Sequence, residues 1–223
     1  MFKRFEKNKV GKDYVVGDIH GCFSKLRSSL EAIDFNTETD RLFSVGDLID
    51  RGEESELVCD WIGKPWFNAV RGNHDDFAIR HVKIGHLDYA YYASNGGAWF
   101  MALPADEQLT IADALESLPF AMQIETDKGL FGVVHADSPY ENWEHLVEAL
   151  ESDLSRTKMR SITDNLMWSR ERAESGYDVP VSGLVALIVG HTPVRSAKKL
   201  GNVFYIDTMG WRHDGEFTLI RIQ

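Results

Sequence analysis

Three short apolar runs, at residues 14–16, 42–45 and 67–70, each stop at a glycine-flanked polar string: GDIHG at 17–21, GDLIDRG at 46–52 and GNHDD at 72–76. Behind each string the apolar residues recur at helical spacing: Phe23, Leu26, Leu30 and Ile33, then Leu57, Val58, Trp61 and Ile62, then Ile79 and Val82. Strand, turn and amphipathic helix, taken three times, is the pattern of βαβ units in a parallel sheet, and predicts an α/β fold. Parallel strands end along one edge, where ligands bind in folds of this kind. The three strings are therefore predicted to meet in space.

The rest of the chain is less regular. Residues 89–99 are rich in aromatics, include Ser94-Asn95-Gly96-Gly97, and read as a loop whose rings pack in the core. Residues 104–118 open on Pro104 and carry Leu109, Ala112 and Leu115, which predicts a helix with proline near its start. Asp127-Lys128-Gly129 between apolar runs at 120–125 and 130–135 predicts a hairpin. Residues 141–167 read as mainly helical. Runs at 184–189, 203–206 and 217–222 read as strands of a second sheet packed on the first. No repeat or linker interrupts the 223 residues, so a single domain, 1–223, is expected.

Composition excludes several classes. At 43% hydrophobic and 26% charged, the chain is ordinary for a globular protein. No stretch reaches the roughly 18 apolar residues of a membrane helix. Residues 1–12 are polar and basic with no apolar run behind them, so a secretory signal is not expected and the cytoplasm is the default. The two cysteines, Cys22 and Cys59, make neither a disulfide framework nor a thiolate metal site, and Cys22 is expected to pack in a helix. The net charge of −11 argues against nucleic acid as a partner. It also means that an anionic substrate must be drawn in by a local patch of cations and arginine.

The polar groups at the strand ends are Asp18, His20, Asp47, Asn73 and His74, joined later by His135 and His191. Oxygen and imidazole donors without thiolates suit hard or borderline divalent cations. So many of them at successive strand ends predict a two-metal site for hydrolysing phosphate esters.

The strings GDIHG, GDLIDRG, GNHDD, His135-Ala136-Asp137 and Gly190-His191-Thr192-Pro193, in that order, together with Trp168-Ser169-Arg170-Glu171-Arg172, resemble the phosphoprotein phosphatase branch of the calcineurin-like metallophosphoesterases. The likeness is strongest to the bacteriophage lambda type and bacterial serine/threonine protein phosphatases and spans nearly the whole chain. It implies a two-sheet β-sandwich flanked by helices. It implies a phosphomonoesterase acting on phosphoserine, phosphothreonine and phosphotyrosine in proteins, and on small phosphate esters in vitro, by direct attack of a hydroxide held between two metals. The metals implied are manganese, with iron or zinc fitting the same donors. By the same resemblance, Asp18 and His20 hold the first metal, Asp47 bridges both, and Asn73, His135 and His191 complete the second. His74 is the implied general acid, Asp50 orients it, and Arg51, Arg71 and Arg170 contact the phosphoryl oxygens.

Two positions depart from the family pattern. Asp75 stands where glutamate is usual, one methylene shorter, and Ser138 stands where tyrosine is usual, at the expected substrate rim. Asp207 reads as structural, and Arg172 as a candidate surface ion pair. His81, His86, His145 and His213 lack motifs and read as surface residues. The alternative activity is dinucleoside tetraphosphate hydrolysis, whose family often has alanine in place of Asp50 and HAG in place of HAD. A phosphodiesterase or nuclease is disfavoured by Pro193, where those enzymes carry a second histidine. A silent phosphopeptide-binding module is disfavoured by the intact His74 and donor set.

Overall fold

The computed structural model describes residues 1–85 and 88–223. The first elements are strands β1 (Phe2–Phe5) and β2 (Asp13–Val16), helix α1 (Phe23–Glu31), β3 (Arg41–Ser44), α2 (Val58–Ile62), β4 (Phe67–Ala69) and α3 (Asn73–Lys83). Short helices α4 (Tyr89–Tyr92) and α5 (Ala98–Met101) lead to α6 (Ala105–Glu116) and the hairpin β5 (Ala121–Thr126) and β6 (Gly129–Val134). Then follow α7 (Trp143–Glu151), α8 (Arg156–Trp168), α9 (Glu171–Ser175), β7 (Ala186–Val189), β8 (Lys198–Leu200), β9 (Val203–Tyr205) and β10 (Leu219–Arg221).

The strands form two sheets, in the orders β10-β2-β3-β4 and β1-β5-β6-β7-β9-β8. Strands β2, β3 and β4 are mutually parallel, and so are β6, β7 and β9. Alternation along each strand sorts side chains to two faces. Val15, Phe43, Ala186 and Ile188 face the space between the sheets. Tyr14, Val16 and Leu42 face outward onto Leu26 of α1, Trp61 of α2 and Leu115 of α6. Leu187 and Val189 face the opposite way, onto Leu146 of α7 and Leu166 of α8. Both faces of each sheet are therefore covered, and β2, β3 and β7 read as nearly continuous apolar runs for that reason. Complete burial of one such leucine contributes about 1.5–3 kcal/mol. The α/β two-sheet sandwich inferred from the resemblance is the architecture observed.

The structure departs from the sequence reading in four places. The run at 217–222 gives β10, which joins the first sheet antiparallel to β2 instead of the second sheet, because the chain crosses back after β9. The short edge strand β8, paired with β9, carries two lysines and no apolar run to announce it. Residues 89–99 are not a loop. They form α4 and then a wide π turn over Ala93–Gly97 that runs into α5. The Asp88 carboxylate caps α4 by accepting the Tyr91 amide, and Gly96, at φ +104°, supplies the break in the helix. The glycines that suggested a loop serve a kink instead. Residues 2–5 pair in parallel with β5, from Phe2 opposite Ala121 to Phe5 opposite Ile124. A four-residue edge strand with charged residues at its centre has no local signature beyond its two phenylalanines.

Candidate metal and phosphoryl site

Each of the six parallel strands delivers a polar group just past its end: Asp18 after β2, Asp47 after β3, Asn73 after β4, His135 after β6, His191 after β7 and Asp207 after β9. The two sheets bring these ends together. The His191 amide donates to both Asp18 carboxylate oxygens at 3.2 Å, and His135 Nδ1 donates to the Val45 carbonyl at 2.7 Å. His135 Nε2 and His191 Nδ1 both face Asn73 Oδ1, at 2.9 and 2.8 Å. His20, Asp47 and His74 offer atoms within 4.8 Å of one another, and so do Asp18, Asp47 and His135.

Backbone geometry at the strings is specific. Among the described residues, five of the seven non-glycine positions with positive φ belong to them: His20, Asp47, Asp50, Arg51 and His191. Each such residue costs on the order of 1–3 kcal/mol and persists only where its surroundings hold it. Those holds are visible. The Asp47 carbonyl accepts the Ile19 and His20 amides, and the Leu48 carbonyl accepts the Gly21 amide, which ties the loop after β2 to the loop after β3. The Asp75 carboxylate accepts Leu48 N–H at 2.9 Å and Gly72 N–H at 2.8 Å, so the shorter side chain still clamps the loop after β3 to the start of α3. Glycine is required for space at several of these positions, and at two of them the space is held by a donor carboxylate. A Cβ on Gly72 would lie 2.1 Å from Asp47 Oδ1, and one on Gly190 would lie 1.9 Å from Asp18 Oδ1.

The donor set fits cations. A neutral imidazole has one N–H. His20 spends it on the Ile49 carbonyl, His135 on the Val45 carbonyl and His191 on the Trp168 carbonyl. Each ring then presents its other nitrogen as an acceptor. Two of those nitrogens face a third acceptor, Asn73 Oδ1, an arrangement suited to a cation among them. At His20 a cationic group is present: Arg51 Nη1 donates to Nε2 at 2.9 Å, while Nη2 donates to His74 Nε2 at 3.1 Å.

The protein's own charges point the same way. Burial, then the charges of Asp207 and Asp47, raise Asp18 well above the usual carboxylate range. Burial pushes Asp47 up as well, but His135, His74 and His20 outweigh it and hold Asp47 well below that range. Burial pulls the His135 imidazole down, yet Asp47 and Asp18 overcome it and push it up to about 9. Burial and the neighbouring His135 charge lower His191 to about 3. A divalent cation would relieve both the carboxylate repulsion and the protonation of His135.

Beside the donors lies a cleft of about 220 Å³. Asp18, Asp47, Asn73, His74 and His191 form its floor, and Arg51, Arg170, Tyr91, Asn95 and Trp168 its rim. His74 Nδ1 bonds Asp50 Oδ2 at 2.8 Å, which turns Nε2 toward the cleft. The Arg51 guanidinium lies 4.6 Å over the Trp211 ring, and Arg170 donates to the His191 carbonyl at 3.3 Å.

Arg71 is not brought to this cleft. Its guanidinium packs 4.4 Å over the Phe120 ring, donates to the Glu116 carbonyl and faces Asp76 at 3.9 Å. The carbonyl-rich C-terminus of α6 draws the cation outward. Ser138 does not form the rim either; it is buried and bonds the Tyr140 carbonyl. Arg172 is no surface pair but a buried one, its Nε 3.1 Å from both oxygens of Asp137. His81 is half-buried among Tyr89, Tyr92 and Phe100. His145 and His213 are exposed, and His86 lies outside the described residues. Cys22 is half-buried, its thiol against the His20 and Trp211 carbonyls, and both cysteines are free.

Sequence reasoning undervalued Asp207, which is 1% exposed with Oδ2 unpartnered among the donors. The signal was present: a carboxylate directly after an apolar run, as at Asp18 and Asp47. Trp99 and Trp211 carried no such signal.

Fold and site together define a two-sheet α/β phosphoesterase whose oxygen and imidazole donors suit a pair of metal ions. The chain belongs to the Calcineurin-like phosphoesterase family, which matches residues 14–216. A full-length relative is serine/threonine-protein phosphatase 1 of Salmonella typhimurium, 34% identical over 229 residues, covering 100% of this chain and 97% of that protein. A symmetrical bis(5'-nucleosyl)-tetraphosphatase of Erwinia tasmaniensis is 46% identical over only 65 residues, covering 28% of this chain and 23% of the relative. In fold, the chain resembles a crystal structure titled as that of a putative diadenosine tetraphosphatase, with a TM-score of 0.65 at 20% identity, covering 99% of this chain and 93% of the other.

Proposed function

We propose that this chain is a metal-dependent phosphomonoesterase that releases phosphate from phosphoserine and phosphothreonine in proteins, with phosphotyrosine as a further substrate. The observation that carries this reading is the His74–Asp50 pair, turned into a small cleft beside the converging donors. The full-length likeness to a bacterial protein phosphatase supports it. The cleft is smaller than the roughly 300–1,000 Å³ that drug-sized ligands fill, and suits a phosphoryl group with its nearest atoms better than a dinucleotide. One domain, 1–223, would carry the activity, since both sheets contribute donors.

Asp18, His20 and Asp47 would hold one divalent cation, and Asp47, Asn73, His135 and His191 the other; manganese is the ion we favour. When bound, the cations supply Lewis acidity, which activates the attacking water and neutralises phosphoryl charge. The chain's own groups do the rest. Arg170 and Arg51 bind phosphoryl oxygens, for which the planar guanidinium is suited. Arg51, which donates to His20 and His74 here, turns to the phosphoryl group. His74, then in its imidazolium form, gives the Nε2 proton to the departing serine or threonine oxygen, a poor leaving group. Asp50 holds the ring for that transfer, worth typically 10²–10⁴-fold. Two free thiols agree with a reducing, cytoplasmic setting, and no helix among the described residues is long and apolar enough to cross a membrane.

The test is a comparison of phosphoserine, phosphothreonine and phosphotyrosine peptides with diadenosine tetraphosphate, each with and without manganese. Phosphate release from the peptides, abolished by chelation, is expected. Faster cleavage of the dinucleotide would overturn the assignment in favour of the second activity.

A further inference from the structure

Asp50 has two carboxylate oxygens, and each is engaged. Oδ2 faces His74 Nδ1, and Oδ1 accepts the indole N–H of Trp99 at 2.9 Å. Asp50 is fully buried, so no bulk water competes for either oxygen. Tyr92 is also buried nearby: burial and then the Asp50 charge raise its hydroxyl above the usual phenol range, but no acceptor lies within hydrogen-bond distance of it. Trp99 is the donor within hydrogen-bond distance of the second oxygen.

The terminal torsion of an aspartate is broad and roughly two-fold, so one hydrogen bond leaves the carboxylate free to rock. A second donor on the opposite oxygen fixes the plane. Trp99 is itself fixed. It stands on α5, immediately after the π turn, and packs edge-on to Phe100 at 5.6 Å. The turn presses on the same loop as Asp50: a Cβ on Gly96 would lie 2.7 Å from the Arg51 amide nitrogen. Residues 89–101 therefore touch the Asp50–Arg51 loop at two points, once through backbone and once through the indole.

We infer that Trp99 is a positioning residue: by holding Asp50 Oδ1 it keeps Oδ2 aligned with His74 Nδ1, and so aims His74 Nε2 at the leaving oxygen. The inference rests on the proposed role of His74 as proton donor. A half-buried indole also needs an acceptor for purely structural reasons, and the two roles separate by leaving group. An ester whose leaving oxygen is already stable needs little proton donation, whereas serine or phenol needs much.

Trp99→Phe keeps a ring and deletes the N–H. The readout is the ratio of kcat/KM for 2,4-dinitrophenyl phosphate to that for phenyl phosphate, measured within one preparation of the manganese-loaded enzyme. A within-preparation ratio is indifferent to the fraction folded. Asp50→Asn is expected to raise this ratio strongly. Trp99→Phe is expected to raise it roughly tenfold, a fraction of what a general acid supplies. In the Asp50→Asn background, Trp99→Phe is expected to add nothing, because the two residues act through one hydrogen-bonded unit. In manganese-free protein, the downfield proton of His74 Nδ1–H, assigned by its loss in Asp50→Asn, should shift or broaden in Trp99→Phe. An unchanged ratio in Trp99→Phe, with Asp50→Asn raising it, overturns the role of Trp99 alone. An unchanged ratio in both variants overturns His74 as proton donor and the inference with it. An effect of Trp99→Phe that persists undiminished in Asp50→Asn also refutes it.

Discussion

Gly72→Ala displaces Asp47 without changing the identity of any donor in the site. Gly72 takes φ −94° and ψ 174°, a backbone that any residue adopts, so alanine adds no torsional strain. What it adds is a methyl 2.1 Å from Asp47 Oδ1 and 2.3 Å from the Asp47 amide nitrogen. Ordinary contact begins at 3.4 Å, so the carboxylate and its loop must yield by about 1.3 Å. The same oxygen accepts the His74 amide at 2.9 Å, so the start of α3 is disturbed too. A displacement of ~1 Å at a reacting centre can cost on the order of 10²-fold. We expect Gly72→Ala to lower kcat/KM for p-nitrophenyl phosphate by about that factor and to weaken manganese binding by calorimetry. Circular dichroism should show the fold retained. Gly176→Ala is the control. Its φ is +73° with nothing within 4 Å of the added Cβ, so only backbone strain of about 1–2 kcal/mol is expected, with unchanged activity per folded molecule. A Gly72→Ala protein that binds manganese and turns over like wild type would refute the claim that Asp47 is held in place by this contact.

Three further outcomes follow from the same geometry. Asp47→Asn should depress both manganese affinity and turnover far more than Asp50→Asn, and equal rates at full occupancy would count against a bridging Asp47. Arg172→Met leaves the buried Asp137 carboxylate without its partner and should cost about 3–5 kcal/mol in urea unfolding; a loss under ~1 kcal/mol, the value of an exposed pair, would contradict the buried geometry. In chelator-treated protein, His135 binds its proton more tightly folded than unfolded, since its pKa is pushed up to about 9. Its contribution to stability is therefore full below the ordinary imidazole value of ~6.5 and lost as pH rises toward about 9. The stability difference between wild type and His135→Gln, followed by urea unfolding, should fall across that window; a flat difference would exclude the proton on His135.

Much of the site was legible because its code is local. An apolar run that stops at glycine and a polar residue marks a strand end in one dimension. The right-handed βαβ connection then sends successive ends to one edge. Asp18, Asp47, Asn73, His135 and His191 were readable this way, and Asp207 obeyed the same rule while being read as structural. Residues 89–99 failed because glycine signals a break in any element. Whether that break is a loop or a kink between helices depends on what the flanking rings pack against, here the buried Tyr92 and Phe100.

By itself the sequence determined which donors exist, at which strand ends they stand, and that the net negative surface must give way to a local cationic site. The tertiary structure decided where the longer side chains point. Arg51 turns inward over Trp211, Arg71 turns outward to the last carbonyl of α6, Arg172 is buried against Asp137, and Trp99 reaches Asp50. A short side chain within a few residues of a strand end has little freedom, so position in the chain nearly specifies position in space. A guanidinium or an indole at the end of several rotatable bonds goes wherever an acceptor or a ring from a distant segment receives it, and only the packed fold supplies that segment.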